Sequence, residues 1–407
     1  MSNQVRLGDI FDFKNGRAFK KTEWSSSGLP IIRIQNLNNS RASFNYYSGS
    51  YDERIEVKKG DLLFSWSGTV GSSFGPHIWN GETGVLNQHI FRVALKDGIE
   101  KRYAYYALLE ITSEIEKSVS GAVGIVHVTQ ANLKNFKIPV PNVSEQKRIV
   151  AILDEALAGI DAAIANTEKN LANARELFES YASSVFSLAP SHWQKIELAQ
   201  ICSIKHGFAF KSEYFSDKGP YIVLTPGSFH ESGGFRDQGK KTKFYVANPP
   251  AEYVLKKGDF LIAMTEQAVG LLGSCLEVPE SGRFLHNQRL GLVEVHNGVD
   301  WHNDFFFHQF NTSKFRSAVQ ATASGVKVRH TSPGKLGAIE VLVPPLTEQV
   351  EVSAKLNTLL SETRRLEEVQ QLKLASLTEL RQSLLHKAFS GEFTGDSAEI
   401  KMEEAVA

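Results

Sequence analysis

Pro141-Asn142-Val143-Ser144-Glu145-Gln146 opens a stretch in which Leu153, Leu157, Ile160, Ile164, Thr167, Leu171, Ala174, Phe178, Tyr181 and Val185 follow in alternating steps of four and three. An apolar seam kept up over more than four heptads is specific for a coiled-coil helix rather than an ordinary amphipathic one. Alone, such a helix exposes an apolar stripe, so it needs a mate. Further along, Pro344-Pro345-Leu346-Thr347-Glu348-Gln349 repeats the opening. Val352, Leu356, Leu359, Thr363 and Leu366 follow, and the seam resumes at Leu377, Leu380 and Leu384 after an interruption at Gln370 and Lys373. Each helix is expected to run about 44 residues, or roughly 65 Å. Ser144 is expected as the N-cap of the first, with Glu145 favouring the positive end of its dipole.

What precedes each helix is also said twice. Lys14-Asn15-Gly16-Arg17-Ala18-Phe19-Lys20 returns as Lys205-His206-Gly207-Phe208-Ala209-Phe210-Lys211, and Lys58-Lys59-Gly60-Asp61-Leu62-Leu63 as Lys256-Lys257-Gly258-Asp259-Phe260-Leu261. Asn87-Gln88 matches Asn287-Gln288, His127 matches His330, and Glu145-Gln146 matches Glu348-Gln349. The order holds and the offset drifts from 191 to 203, as a duplication with loop insertions requires. Solenoid units are far shorter, about 20–50 residues.

The expected organisation is therefore a mixed α/β (α+β) domain over 1–143, a helical spacer over 144–190, a second copy of the domain over 191–346 and a second helical spacer over 347–391. An acidic tail over 392–407, with Asp396, Glu399, Glu403 and Glu404, is expected to be disordered. The helices should pair antiparallel as a coiled-coil rod with one domain at each end, because a whole domain separates them in the chain. Within the first copy, Pro30–Ile34, Asp61–Trp66 and Ile90–Ala94 are short β-rich runs bounded by turn residues. Between Lys101 and Ser118, Ala104, Ala107, Leu108, Ile111 and Ile115 fall on one helical face. Phe19/Phe210 and Ala18/Ala209 are expected in the core.

A length of 407 residues with 42% hydrophobic and 10% aromatic content supports real cores in two or three domains. Cys202 and Cys275 are the only cysteines, which argues against a disulfide framework or a cysteine-rich zinc site. Neither a signal-peptide core nor a bilayer-spanning run is found, so a cytoplasmic location with no membrane partner is expected. Formal net charge is zero, yet the segments 1–143 and 191–346 carry +4 and +3, while 144–190 and 347–407 carry −3 and −4. Positive charge in the repeated domains is a mild pointer to anion binding.

Two homologous domains, each ending in Pro-x-x-[Ser/Thr]-Glu-Gln and a long helix, resemble the specificity subunit of type I restriction–modification systems. The Lys-x-Gly-x-Ala-Phe-Lys segment, the Lys-Lys-Gly-Asp run and the Asn-Gln pair also resemble that family's target-recognition domains. The likeness extends from residue 5 to about residue 393. It implies that each domain binds half of a split double-stranded DNA sequence, and that the helices space the domains and dock two modification (methyltransferase) subunits. It also implies a chain with no catalysis and no cofactor of its own. S-adenosylmethionine would be held by the modification subunits, and ATP and Mg by restriction (translocase/nuclease) subunits where these join.

The duplication separates two classes of DNA contact, since phosphates give affinity and base edges give specificity. Shared residues are scaffold or phosphate candidates: Lys14/Lys205 and Lys20/Lys211 are phosphate contacts or ordinary surface lysines beside a turn. His127/His330 is a phosphate contact or a satisfied structural histidine. Gly60-Asp61 and Gly258-Asp259 read as a turn leading into a strand, and the Asn-Gln pairs as loop-fixing hydrogen bonds. Differing residues are base-reading candidates: Arg17 against Phe208, Arg33 and Gln35 against Leu224 and Pro226, Ser67 against Thr265 with Gln267 nearby, and His89 against Arg289. Thr69, in the small polar loop 67–73, suits close approach to a backbone. Lys240, Lys241 and Lys243, with Lys327 and Arg329, form basic clusters suited to phosphates.

Other functions are weighed against a DNA-binding subunit. Asn248-Pro249-Pro250-Ala251 is similar to the base-holding loop of adenine methyltransferases but lacks its stacking aromatic. Glu56-Val57-Lys58 suits a metal-dependent nuclease, but Tyr253-Val254-Leu255-Lys256 in the second copy has no such carboxylate. A self-contained methyltransferase or nuclease, and a coiled-coil scaffold without DNA affinity, are the alternatives.

Overall fold

A computed structural model of the chain describes residues 4–39, 41–68, 73–119, 126–267 and 270–392. Thr69 and the acidic tail beyond Glu392 lie outside the described residues. The chain divides into two compact units, 1–167 with 372–407, and 168–371.

In the first unit, strands Phe11–Asn15, Ile90–Leu95, Leu62–Ser65 and Gly75–Ile78 form an antiparallel sheet in that order. A second sheet orders Asn45–Tyr47, Leu29–Ile32, Gly84–Leu86 and Glu56–Val57, with the middle pair parallel. Gln4–Arg6 pairs with Lys137–Pro139 and closes the domain just before the helix begins. The helical face expected over 101–118 is buried, but it is split into Lys101–Glu110 and Thr112–Val119, with the Thr112 hydroxyl donating to the Leu108 carbonyl.

The second unit repeats this plan. Cys202–His206, Leu290–Val295, Phe260–Ala263 and Cys275–Glu277 form the antiparallel sheet, and Gln194–Glu197 pairs with Glu340–Val343. Its other sheet gains the strand Phe215–Ser216 at one edge, while Val254 forms only an isolated bridge where the first copy has a strand. The shared Gly-Asp turn is structural in both copies. Gly60 and Gly258 adopt φ +89°, favoured only by glycine, and Asp61 and Asp259 accept from the Lys58 and Lys256 N–H. Ala18 and Ala209 are exposed, a correction to the core expectation; Phe210 is buried and Phe19 half-buried against Tyr47.

Both long helices, Val143–Ser187 and Leu346–Ser390, run 45 residues. The cap of the first is Asn142, whose side chain accepts from the Glu145 N–H, rather than Ser144. In the first unit Leu153, Leu157 and Ile160 share one core with Leu385, Ala388, Phe389 and the sheet, with Ile164, Leu377 and Leu384 packed against it. In the second unit Ala182, Phe186 and Leu356 share a core with Trp193, Phe305 and Phe310, with Phe178 and Val352 against it. Asp161 meets Arg381 in one unit and Arg175 meets Glu367 in the other, so the pairing is antiparallel.

The seam departs from strict heptads. Tyr181 is exposed and Ala182 buried in its place; Leu366 and Leu380 are 50% and 46% exposed, a correction to their seam assignment. Half-buried Glu367, Gln370, Leu374, Leu377 and Arg381 follow Thr363 instead, while Leu359 and Leu171 remain half-buried as expected. A straight helix drifts about 20° per heptad, so the buried face advances by one residue, about 100°, over roughly five heptads. The Arg175–Glu367 and Arg381–Asp161 pairs bring Glu367 and Arg381 to the inward side that Leu366 and Leu380 miss.

The recurring Glu-Gln is the joint between domain and helix. Gln146 is wholly buried; its carbonyl oxygen accepts from the Glu100 N–H at 2.8 Å, and its amide donates to the Gly98 and Pro141 carbonyls at 2.9 and 2.8 Å. Gln349, equally buried, accepts from His302 N–H at 2.9 Å and donates to the Asp300 and Pro344 carbonyls. Beside it, hydrogen bonds from the Trp193 indole and His192 hold the Glu348 carboxyl below the usual carboxylate range. Replacing either glutamine by alanine takes the partner from one half-buried N–H and two carbonyls, at about 1–3 kcal/mol for a group left unsatisfied. We expect Gln146→Ala and Gln349→Ala each to lose roughly 3 kcal/mol in urea unfolding, while Glu145→Ala loses under about 1.

Candidate nucleic-acid interface

In each unit three chain segments meet at one end of the antiparallel sheet. In the first, Gly16 lies so close to Asn87 that a Cβ would collide with the Asn87 carbonyl, and Arg17 bridges Asn87 through its backbone. The turn 87–89 then presents Gln88 and His89. Trp66 organises them: its indole donates to the Gln88 carbonyl at 3.1 Å, and its ring lies 5.3 Å from His89 and 6.1 Å from His127. Gln88 Nε2 contacts His89 Nε2 at 3.0 Å. Ser67 is buried and faces His127 in a two-stranded ribbon.

The second unit builds the same corner with other side chains. A Cβ on Gly207 would strike the Asn287 carbonyl, and Phe208 takes the bridging place of Arg17. The Asn287 side chain accepts from the Arg289 N–H at 3.1 Å, and Met264 N–H donates to the Arg289 carbonyl at 3.0 Å. Thr265 faces His330 in the equivalent ribbon. The pairs Ser67/Thr265, His89/Arg289 and His127/His330 thus come together, as a common site requires.

A feature missed in the sequence underlies the second ribbon. Glu266 is 2% exposed, and one of its oxygens accepts from the N–H groups of Gly270, Leu271 and Leu272. Burial would raise its carboxyl, but these donors and the Gln320 amide hold it below the usual carboxylate range. Half-buried Arg316 grips the same turn from the carbonyl side, donating to the Leu272 and Gly270 carbonyls, and also to that of Glu231. Gly68 stands where Glu266 does in the first copy, so comparing copies could not find this clamp.

Several candidate cations are already engaged. Arg17 pairs with Glu23 and lies 5.0 Å from the Phe19 ring and 5.1 Å from that of Tyr47; Arg33 lies 5.5 Å from Trp24. Lys205 donates to the Glu252 carbonyl over the Tyr253 ring, Lys211 pairs with Glu213 at 3.8 Å, and Lys243 sits over Phe215. Arg329 is held by Glu266 at 3.5 Å and by the Gln320 carbonyl. The Gln35 amide donates to the Ser43 carbonyl at 3.4 Å, and the Lys20 backbone caps a short turn through Glu23. Lys240, Lys241, Gln267, Arg289 and Lys327 are exposed, and Lys14 is half-buried on its strand. His330 contacts Ser324 Oγ at 3.2 Å.

Residues 2–172 and 190–374 match the family model described as the type I restriction modification DNA specificity domain. The chain belongs to that family. It is 24% identical over 391 residues to the MjaVIII specificity subunit of Methanocaldococcus jannaschii, covering 90% of this chain and 88% of that protein. It is also 31% identical over 169 residues to the EcoBI specificity subunit of Escherichia coli, a match spanning 41% of this chain and only 34% of that protein. A chain from a structural study of complex assembly and conformational transition in the type I R–M system has the same fold, with a TM-score of 0.74 at 17% identity over 95% of this chain and 97% of that one. The HsdS subunit of Thermoanaerobacter tengcongensis superposes with a TM-score of 0.53 at 18% identity, covering 96% of each chain.

This type I DNA specificity subunit therefore carries two target-recognition domains, each with one of the corners described above. Asn248-Pro249-Pro250 leads into a turn that sends Tyr253 against Phe208, 5.3 Å away, beneath Lys205; its one aromatic is thus already stacked. Among the described residues, no helix is long and apolar enough to cross a membrane. Both cysteines are buried, which pushes their thiols up to about 12.

His286 precedes the Asn287 turn and is wholly buried, where the first copy has Leu86. Burial pushes its pKa down to about 4, although a contact from Nε2 to the Leu290 carbonyl at 3.0 Å opposes the shift; Nδ1 has no partner. The unfolded chain takes up this proton near pH 6.5, the folded one only near 4. Stability present above about pH 6.5 is thus lost as pH falls towards 4. We expect His286→Leu to flatten that part of the pH–stability curve in urea titrations, with no gain at pH 8.

Proposed function

We propose that each recognition domain reads one half of a bipartite double-stranded DNA sequence, and that the chain directs partner subunits to that sequence without catalysing a reaction itself. The observation that carries this reading is the doubled corner. The same Gly–Asn approach, the same Gln and the same ribbon histidine recur in each copy, while Arg17, Ser67 and His89 give way to Phe208, Thr265 and Arg289. A scaffold that is constant with a variable surface is what two readers of different half-sites need. In this reading the paired helices space the readers and dock two modification subunits. Those subunits would hold S-adenosylmethionine and transfer methyl groups to adenine, and restriction subunits, where present, would supply the ATP- and Mg-dependent steps.

In this reading exposed Lys240, Lys241 and Lys327, with Lys211, take the role of phosphate contacts on the second domain, and Lys14 and Lys20 on the first. Each such contact adds about 0.9 to the slope of log affinity against log salt. Replacing Lys240 and Lys241 together by alanine should weaken binding to all sequences alike and flatten that slope by about 2. The test of the reading itself is an exchange of residues 191–346 for the corresponding domain of another specificity subunit, followed by mapping of methylated adenines in cells. One half of the methylated motif should change and the other stay; a change in both halves would refute independent reading.

A further inference from the structure

We propose that Arg289 reads a guanine in the half-site of the second recognition domain, donating from its guanidinium to N7 and O6 in the major groove. This inference rests on the reading given under Proposed function and names the base it would recognise.

Arginines on this domain sort by what they already hold. Arg316 is spent on three carbonyls of its own clamp. Arg329 is tied to Glu266 and the Gln320 carbonyl, and Arg283 to Glu280 at 3.3 Å. Arg236 is exposed but lies in the loop that hydrogen-bonds Ser228, not at the corner. Arg289 is exposed, and its guanidinium has no partner among the described residues. Within the corner it is the uncommitted guanidinium.

Its backbone, by contrast, is fixed. The N–H is held by the Asn287 side chain and the carbonyl by Met264 N–H, while Asn287 itself is pressed against Gly207. A long side chain on an anchored backbone loses less entropy on binding than one on a loose loop. Gln288, its neighbour in the chain, and Gln267 and His330, of the ribbon that follows Met264, are exposed, and none of the three carries negative charge. The carboxylate of the ribbon, Glu266, is buried and occupied by three backbone N–H groups, so it does not compete for Arg289. A rigidly based, unpaired guanidinium matches the two acceptors that guanine places side by side in the major groove. The first copy differs here, since His89 packs on Trp66 while Arg17 and Arg33 lie against aromatic rings. The two half-sites should accordingly differ in chemistry at this position.

The test uses the full chain expressed in its native host and purified with whatever subunits accompany it, probed with random-sequence duplex DNA. Wild type should select a split consensus, and the exchange of residues 191–346 assigns one half to the second domain. R289A and R289K should both lose a guanine preference at a single position of that half, by about tenfold or more, and leave the other half intact. Lysine keeps the charge but not the two-point fork, so its failure to rescue separates base reading from phosphate contact. With 7-deazaguanine at that position, wild type should weaken by a similar factor and R289A not at all; inosine, which keeps N7 and O6, should be tolerated. The proposal is overturned if R289A weakens every duplex equally with a shallower salt dependence, if R289K retains the preference, or if 7-deazaguanine is tolerated. In those cases the split consensus still stands. Absence of any split consensus from wild type would instead bring down the underlying reading, and this inference with it.

Discussion

A buried amide at the first turn of each long helix is the constraint on which the recognition domains depend. Gln146 and Gln349 are themselves wholly buried, and each satisfies one N–H and two carbonyls of the loops around it. Both sets of partners come from the segment just ahead of the domain's helices and from the proline run that ends the domain. A glutamine side chain presents donor and acceptor together, so it ties two strands of irregular backbone to the helix start at once. No apolar residue could fill that place without stranding the same three groups. The sheets of each domain then share a hydrophobic core with the adjoining stretches of the helices. Orientation of a domain on its helices is thus set by packing that the amide keeps in register.

From that base the corner is built by close backbone approach, fixed by the Trp66 indole in one copy and by the Asn287 side chain in the other. Gly16 and Gly207 let a loop lie against the Asn87 and Asn287 carbonyls, and the next two residues of each turn project from the corner. On that frame Gln88 recurs as Gln288, while the next position carries His89, packed on Trp66, in one copy and exposed Arg289 in the other. The ribbon beside it follows the same logic, with Ser67 facing His127 and Thr265 facing His330. One copy stiffens its ribbon with the Glu266 clamp, and the other has glycine there. The copies thus differ both in what the corner presents and in how one ribbon is held.

Much of this was legible in the residues, and the limits have physical causes. The doubled order of motifs and the heptad spacing depend only on period, so both long helices and their pairing could be read directly. Helix phase could not: Leu366 and Leu380 lose the seam through a slow angular drift and two ion pairs formed with the other helix. The recurrence of Gln146 and Gln349 was visible, but their role needed the loop carbonyls at 98 and 300, which only folding brings near. Pairing of His127 with Ser67 and of His330 with Thr265 was latent in the repeat, since both members recur in order. Glu266 and Arg316 left no such trace, because the first copy offers no counterpart to compare.

The candidate site also shows why a count of positive charge overstates what DNA can use. The recognition domains carry a modest excess of lysine and arginine, yet Arg17, Arg33, Lys205, Lys243 and Arg329 are stacked, paired or bonded to carbonyls within their own domain. A guanidinium that lies against its own Phe19 and Tyr47 rings and pairs with Glu23 must break those contacts before it can meet a base edge. Each such cation therefore supports the shape of the corner more than its affinity. In the proposed reading, recognition would fall to a short set of exposed groups at the corners, among them Gln88 and His127 on one domain and Gln288, Arg289 and His330 on the other. A reader made this way has few contacts, each costly to mismatch, because an anchored donor that meets the wrong base edge cannot relax to another partner. In the proposed reading, selectivity would be drawn from rigidity, and affinity from peripheral lysines placed to meet phosphates.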